Sequence, residues 1–133
     1  MPLEPPSNLF VYGTLRRGFP NQFARLLAEQ ETWLGRARMP GRLYRFDRYP
    51  GMTLSSAPEE WVTGEVFCLQ DPARTLTILD DYEKCGPNNP LPHEYLRVTA
   101  TAWLETGPKV SAWVYLYNWP STEEQRILSG DWL

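Results

Sequence analysis

Histidine and cysteine are nearly missing from this sequence, with one histidine, His93, and two cysteines, Cys68 and Cys85, in 133 residues. Two cysteines are too few for a disulfide scaffold, and with a lone histidine they argue against a structural zinc site. His93-Glu94 is followed by Tyr95-Leu96-Arg97 and lacks the second histidine of H-E-x-x-H, so metal hydrolysis and a Ser-His-Asp arrangement are both disfavoured. No apolar run approaches the roughly 18 residues of a membrane-spanning helix. Met1 to Ser7 holds three prolines and a glutamate but no apolar stretch of a secretory signal, so a cytoplasmic location is the default expectation. Charge of one sign is also scarce: 13 basic against 16 acidic residues give a net charge of −3. Arg16-Arg17, Arg36, Arg38 and Arg42 raise the idea of nucleic acid, but the negative balance and the lack of a recognised motif argue against it, as they do against an anionic membrane.

What is present fits one domain, with 42% hydrophobic and 22% charged residues. Residues 1–7 are expected to form a flexible proline-rich leader and residues 8–133 a single domain. A first strand is expected at about 8–14. Asn21 caps a short helix with Phe23, Leu26 and Leu27 at helical spacing. Trp33 to Phe46 is β-rich but interrupted by Met39-Pro40-Gly41, and 47–60 reads as loop with Tyr49-Pro50-Gly51 as a turn signal. Trp61 to Leu69 reads as a central strand. Asp71-Pro72 opens a helix running to about Glu83, which Cys85-Gly86-Pro87 ends. Glu94–Leu104 and Lys109–Trp119 form a hairpin pair, and Ser121-Thr122-Glu123-Glu124 caps a short final helix. These elements predict a mixed α/β (α+β) fold with a small barrel-like sheet and short peripheral helices.

Two stretches carry chemistry. In Leu9-Phe10-Val11-Tyr12-Gly13-Thr14-Leu15 an apolar strand runs into a glycine turn. There the backbone can take φ > 0 or let a ligand approach, and successive amides can form an anion-binding nest. Gly13 and Gly18 have phosphate-loop spacing, but Phe19-Pro20 stands where Lys-Ser/Thr is required, which excludes a nucleoside triphosphate loop. In the helix over 72–83, about 100° per residue sets Leu76, Leu79 and Glu83 on one stripe, with Asp80 at its flank and Asp81 opposite. A carboxylate on an apolar stripe is desolvated, which raises its pKa and suits it to proton transfer near neutrality. Two alternatives stay open: Glu83 turns outward, or it pairs with an arginine such as Arg97. Glu65 reads as a satisfied sheet residue, and Glu94 as a residue of a polar loop.

Taken in order, Leu9 to Leu15 with Arg17-Gly18 and Asn21, Gly41-Arg42-Leu43-Tyr44, Tyr49-Pro50-Gly51, Val62-x-Gly64-Glu65-Val66-Phe67, Leu79-Asp80-Asp81-Tyr82-Glu83 and Glu94-Tyr95-x-Arg97 resemble the γ-glutamylcyclotransferase-like family, in its bacterial, γ-glutamylamine cyclotransferase-like branch. The resemblance covers nearly the whole chain. It departs at Lys84-Cys85, where a glycine is usual, which puts the shape of that loop in question. It implies a barrel-like core with helices around it and an intramolecular reaction, in which the α-amine of a γ-glutamyl group attacks its own γ-carbonyl. The products are 5-oxoproline and a free amine or amino acid, with no metal and no cofactor. It implies Glu83 as the acid/base and Tyr12, Gly13, Thr14 and Leu15 as a largely backbone cradle for the glutamyl moiety. Arg17 is a candidate for a substrate carboxylate, Tyr117 for the pocket wall, and the loop 86–92 for the leaving-group side. The expected partner is a small γ-glutamyl compound, with a monomer as the default. The alternative is a ligand-binding or regulatory module that keeps the pocket without turnover.

Overall fold

Strand β2, Thr32–Phe46, is the spine around which the sheet closes. The computed structural model describes residues 6–132; the expected leader lies outside them except for Pro6 and Ser7. Those two are held, since Pro6 O accepts from Trp113 Nε1 at 2.9 Å and Ser7 O from the Leu69 amide at 2.8 Å. Besides β2, the strands are β1 (Asn8–Val11), β3 (Tyr49–Leu54), β4 (Trp61–Cys68), β5 (Tyr95–Leu104), β6 (Lys109–Tyr117) and the short β7 (Arg126–Ile127). Helices α1 (Gln22–Gln30) and α2 (Pro72–Tyr82) lie between strands.

The first half of β2 pairs antiparallel with β4, from Thr32↔Cys68 to Pro40↔Trp61. Its second half pairs with β3, from Gly41↔Leu54 to Phe46↔Tyr49. β1 is antiparallel to β4 and parallel to β6, and β3 meets β6 at Met52↔Leu116. The path β1-β4-β2-β3-β6 therefore returns to β1 as a closed five-stranded barrel, braced by the β5–β6 hairpin, which also touches β2. The expected mixed fold with a barrel-like core and peripheral helices is what is found.

Three expectations change in detail. Met39-Pro40-Gly41 does not interrupt β2; it is where the strand exchanges β4 for β3 as partner. Proline has no amide to lose there, and a Cβ on Gly41 would lie 2.5 Å from the Thr53 carbonyl oxygen of the incoming strand. The region 47–60 is not all loop. A two-residue turn, Asp47-Arg48 with Asp47 at φ 57°, leads straight into β3. Tyr49-Pro50-Gly51 is thus strand rather than turn, because packing selects its small and rigid residues. Phe46 and Tyr117 stack with centroids 3.7 Å apart, and a Cβ on Gly51 would lie 2.8 Å from the Phe46 ring and 2.7 Å from Tyr117 Cβ. The final helix is a single 3-10 turn, Glu123–Gln125, capped by Thr122.

The core has two layers. Phe10, Met39, Leu43, Met52, Val62, Val66 and Val114 fill the barrel. Leu9, Val11, Leu27, Phe67, Leu76 and Leu79 join its outer wall to the helices. Strands β1 and β4 are covered on both faces, so they read as near-continuous apolar runs. Both helix starts follow their caps: Asn21 Oδ1 accepts from the amides of Phe23 and Ala24 at 3.1 and 2.8 Å, and Asp71 Oδ1 from that of Arg74 at 3.3 Å. The packing at Gly51 yields a test. Gly51→Ala should lower stability by about 1–3 kcal/mol, the usual range for an overpacked core, read as a reduced urea midpoint with an unchanged m-value.

Candidate active site

A cleft of about 270 Å³ opens where four chain segments meet: the turn after β1 (Tyr12–Leu15), the start of β3 (Tyr49, Pro50), the end of α2 (Tyr82–Lys84) and the entry to β5 (Glu94, Tyr95). The structure thus brings Tyr12, Gly13, Thr14, Leu15 and Glu83 to one place. It does not bring Arg17 to the cleft wall, and Tyr117 stands behind that wall with its phenol beside Glu94. The Arg17 guanidinium lies 3.6 Å over the Trp33 ring, and the Tyr117 ring is spent on Phe46. Nor does the loop 86–92 line the cleft; Tyr49, Pro50 and Glu94 form that wall instead.

The turn is built by its own neighbours. The Arg16 amide donates to Gly13 O at 3.0 Å, and Asn21, already the cap of α1, donates from Nδ2 to Thr14 O at 2.7 Å. Among the described residues, no acceptor within the chain takes up the amides of Gly13, Thr14 or Leu15. Gly13 does not have a positive φ; glycine is needed because a Cβ would collide with Pro50 Cγ. Pro50 is itself fixed by Tyr95, whose hydroxyl donates to its carbonyl at 2.6 Å.

Behind the turn lies a buried ion cluster that no local pattern in the sequence announces. Arg16 is 2% exposed; its NH1 donates to Asp131 Oδ1 at 2.8 Å and its Nε lies 3.5 Å from Glu65 Oε2. Glu65 Oε1 also accepts from the Arg17 amide at 2.7 Å, so Glu65 is the satisfied sheet residue expected. Arg16 and Glu65 together staple the turn to β4.

Glu83 is the C-cap of α2, with its amide donating to Leu79 O at 2.8 Å. Some surface stays open where the cleft meets it, yet protein encloses the carboxylate. Burial, and secondarily the negative charge of Glu94, push it up to about 7. It does not pair with Arg97. That guanidinium makes a two-pronged contact with Asp80, Nε to Oδ1 at 2.7 Å and NH2 to Oδ2 at 3.0 Å, and Tyr115 donates to the same Oδ1 at 2.8 Å. Asp80 therefore bolts the end of α2 to the β5–β6 hairpin. The Cys85 thiol, pushed up to about 12 chiefly by burial, is no nucleophile at neutral pH.

Tyrosines surround the two cleft carboxylates. The Tyr12 hydroxyl donates to Tyr115 O at 2.6 Å and accepts from the Met52 amide at 3.3 Å, and burial drives its pKa far upward. Tyr49 donates to Glu94 Oε2 at 2.8 Å, which is the main reason its phenol rises to about 12. Glu94 lies in the loop before β5, as expected, and that loop brings it to the cleft.

The family described as Gamma-glutamyl cyclotransferase, AIG2-like matches residues 9–133. The chain belongs to this family. A relative from Vibrio cholerae serotype O1, bearing the name "Putative gamma-glutamylcyclotransferase", is 35% identical over 128 residues, covering 93% of each chain. The Gamma-glutamylcyclotransferase family protein YtfP of Escherichia coli K12 is 31% identical over 132 residues, covering 94% of this chain and 95% of its own. Among solved structures, YkqA from Bacillus subtilis superposes with a TM-score of 0.70 at 27% identity, over 95% of this chain but 39% of the larger YkqA chain.

The departure from the family's glycine is resolved by geometry. Lys84 adopts φ 57°, the left-handed conformation that glycine favours after a helix. Its amide donates to Asp81 O at 3.1 Å and that of Cys85 to Asp80 O at 2.9 Å, the two bonds of a Schellman motif. A lysine takes the conformation that glycine would adopt and bears the strain. Lys84→Gly should therefore leave the fold intact and raise stability by up to about 1 kcal/mol, seen as a higher thermal midpoint.

Proposed function

We propose that this chain is a γ-glutamyl cyclotransferase that closes the glutamyl group of a γ-glutamyl compound into 5-oxoproline and releases an amine or amino acid. The observation that carries the reading is a carboxylate, Glu83, held near pH 7 by burial, in the same cleft as the uncommitted amides of Gly13, Thr14 and Leu15. Ionised Glu83 takes a proton from the substrate's α-ammonium. The freed nitrogen lone pair attacks the γ-carbonyl carbon, a C–N bond forms, and the carbonyl electrons move to oxygen. When the tetrahedral intermediate collapses, Glu83 gives its proton to the leaving nitrogen, and the bond to that nitrogen breaks as the carbonyl re-forms. The carboxylate so regenerated removes the second proton of the ring nitrogen and passes it to the departing amine. The turn amides hold an anionic oxygen, either the α-carboxylate or the developing oxyanion. The cleft also gathers a flexible glutamyl chain into a reactive bend. Arg17 has no part in this reading. A ligand-binding module has no use for a carboxylate kept near neutrality, which favours turnover over binding alone.

A panel of γ-glutamyl amino acids and amines, read out as 5-oxoproline, tests the activity. Glu83→Gln should cut turnover by at least about 10²-fold, within the span of general acid–base catalysis; retention of wild-type rates would overturn the assignment. In the wild type, kcat/KM should rise with pH through an acid limb near 7 as Glu83 ionises.

The same group acts on stability with a definite sign. An unfolded chain loses this proton near 4.5 and the folded chain near 7. Between those values the folded state holds more protons, so Glu83 makes stability fall as pH rises from about 4.5 to about 7, with no further change above. Glu83→Gln removes that loss. Its thermal midpoint should exceed the wild-type value at pH 8 and approach it at pH 4.

A further inference from the structure

Among the described residues, the partly or wholly buried carboxylates face a cation or a backbone amide, with two exceptions in the cleft. Glu60 has Arg42 and Arg126, Glu65 and Asp131 have Arg16, and Asp80 has Arg97. Glu31 accepts from the Gln70 amide at 2.7 Å and the Thr75 hydroxyl at 3.1 Å. Glu94 accepts from the Tyr49 phenol at 2.8 Å and has the Tyr117 phenol beside it as well, and among the described residues no arginine, lysine or histidine lies in ion-pair contact with it or with Glu83. Glu94 is also firmly placed. Its carbonyl accepts from the Asn118 amide at 2.7 Å, and Asn118 Nδ2 donates to the neighbouring His93 carbonyl at 2.9 Å. A fixed, half-buried carboxylate facing a cleft without a counter-ion is completed by a cation that arrives from outside.

A γ-glutamyl head group carries one anion, its α-carboxylate, and one cation, its α-ammonium. Resting on the cyclotransferase reading, we propose that Glu94, oriented by Tyr49, is a positioning residue that binds the substrate's α-ammonium and sets it beside Glu83. The division of labour follows from charge. Glu83 changes protonation during the reaction and cannot serve as the constant counter-charge, which leaves that part to Glu94. Once bound, the ammonium also offsets the repulsion between the two carboxylates and favours the ionised Glu83 that accepts the proton. The other groups facing Glu83 are the phenols of Tyr12 and Tyr95, the Cys85 thiol and the Lys84 ammonium. The phenols and the thiol stay neutral across the working range because burial raises them. Among the described residues that line the cleft, Glu94 is therefore the carboxylate, apart from Glu83 itself, that can hold a cation.

The experiment separates this inference from the reading beneath it. In a Glu83→Gln background that does not consume ligand, calorimetry compares γ-glutamyl-p-nitroanilide with glutaryl-p-nitroanilide, which lacks only the amine. The amine-bearing compound should bind about tenfold to a hundredfold tighter, as expected of a charge-assisted contact. Adding Glu94→Gln should abolish that preference. In otherwise wild-type enzyme, Glu94→Gln should raise KM by a similar factor and move the acid limb of kcat/KM to lower pH, since a negative charge beside Glu83 is gone. Tyr49→Phe, which keeps the charge and frees the carboxylate, should raise KM by a smaller factor and serves where Glu94→Gln fails to fold. An unchanged preference and KM in Glu94→Gln, with Glu83→Gln inactive, would overturn the inference and leave the cyclotransferase reading standing. Full turnover by Glu83→Gln would overturn that reading itself.

Discussion

Everything at the cleft depends on where the last turn of α2 is held, and Asp80 holds it. Its carboxylate receives both prongs of Arg97 from β5 and the hydroxyl of Tyr115 from β6. A two-pronged guanidinium contact fixes direction as well as distance. With that point pinned, the Schellman turn at Lys84 and Cys85 has one way to go, and Glu83 hangs over the cleft rather than into solvent. Removing either charge would leave the other part-buried and unmatched, which costs more than the pair contributes.

The opposite wall is fixed by packing against backbone. Tyr95 holds the Pro50 carbonyl, Pro50 occupies the space a Cβ of Gly13 would need, and Asn21 and Glu65 hold Thr14 O and the Arg17 amide. Three phenols beside the cleft, Tyr12, Tyr95 and Tyr115, have donated their protons to fixed acceptors. They rigidify the wall and do not titrate. Proton transfer at this wall is thereby left to the cleft carboxylates rather than to the phenols.

Much of this was legible in the sequence. The helix caps at Asn21 and Asp71, the strand Trp61–Cys68, the hairpin and the apolar stripe that carries Glu83 follow from spacing and composition alone. What escaped had one common cause: a residue type whose usual meaning was overridden by a distant partner. Pro50-Gly51 spells a turn, but Gly13, Phe46 and Tyr117 reach it from elsewhere in the chain and make it strand. Arg16 looks solvated until Glu65 and Asp131 are beside it. Asp80 was set at the flank of the helix, although it lies four residues after Leu76 and three before Glu83, a spacing that shares their face. Glu94 carries no local signal, because its importance comes from Tyr49 and Glu83, which only the closed barrel brings near.

The position of Glu83 sets stability against chemistry. An acid at a helix C-terminus sits at the negative end of the macrodipole, within protein that excludes water, and beside a second carboxylate. Each circumstance disfavours the charged form, and a fold selected for stability alone would place a neutral or cationic side chain there. Lys84, one residue on, adds a left-handed backbone that glycine would adopt without strain. Two successive residues at the mouth of one cleft thus carry unfavourable terms. Such local conflict is what a functional site leaves in a structure. The Asp80–Arg97 pair and the apolar contacts of Leu76 and Leu79 are the compensation, because they anchor the helix just before the strained segment begins. A buried base and its rigid support are therefore one design, and neither is explained without the other.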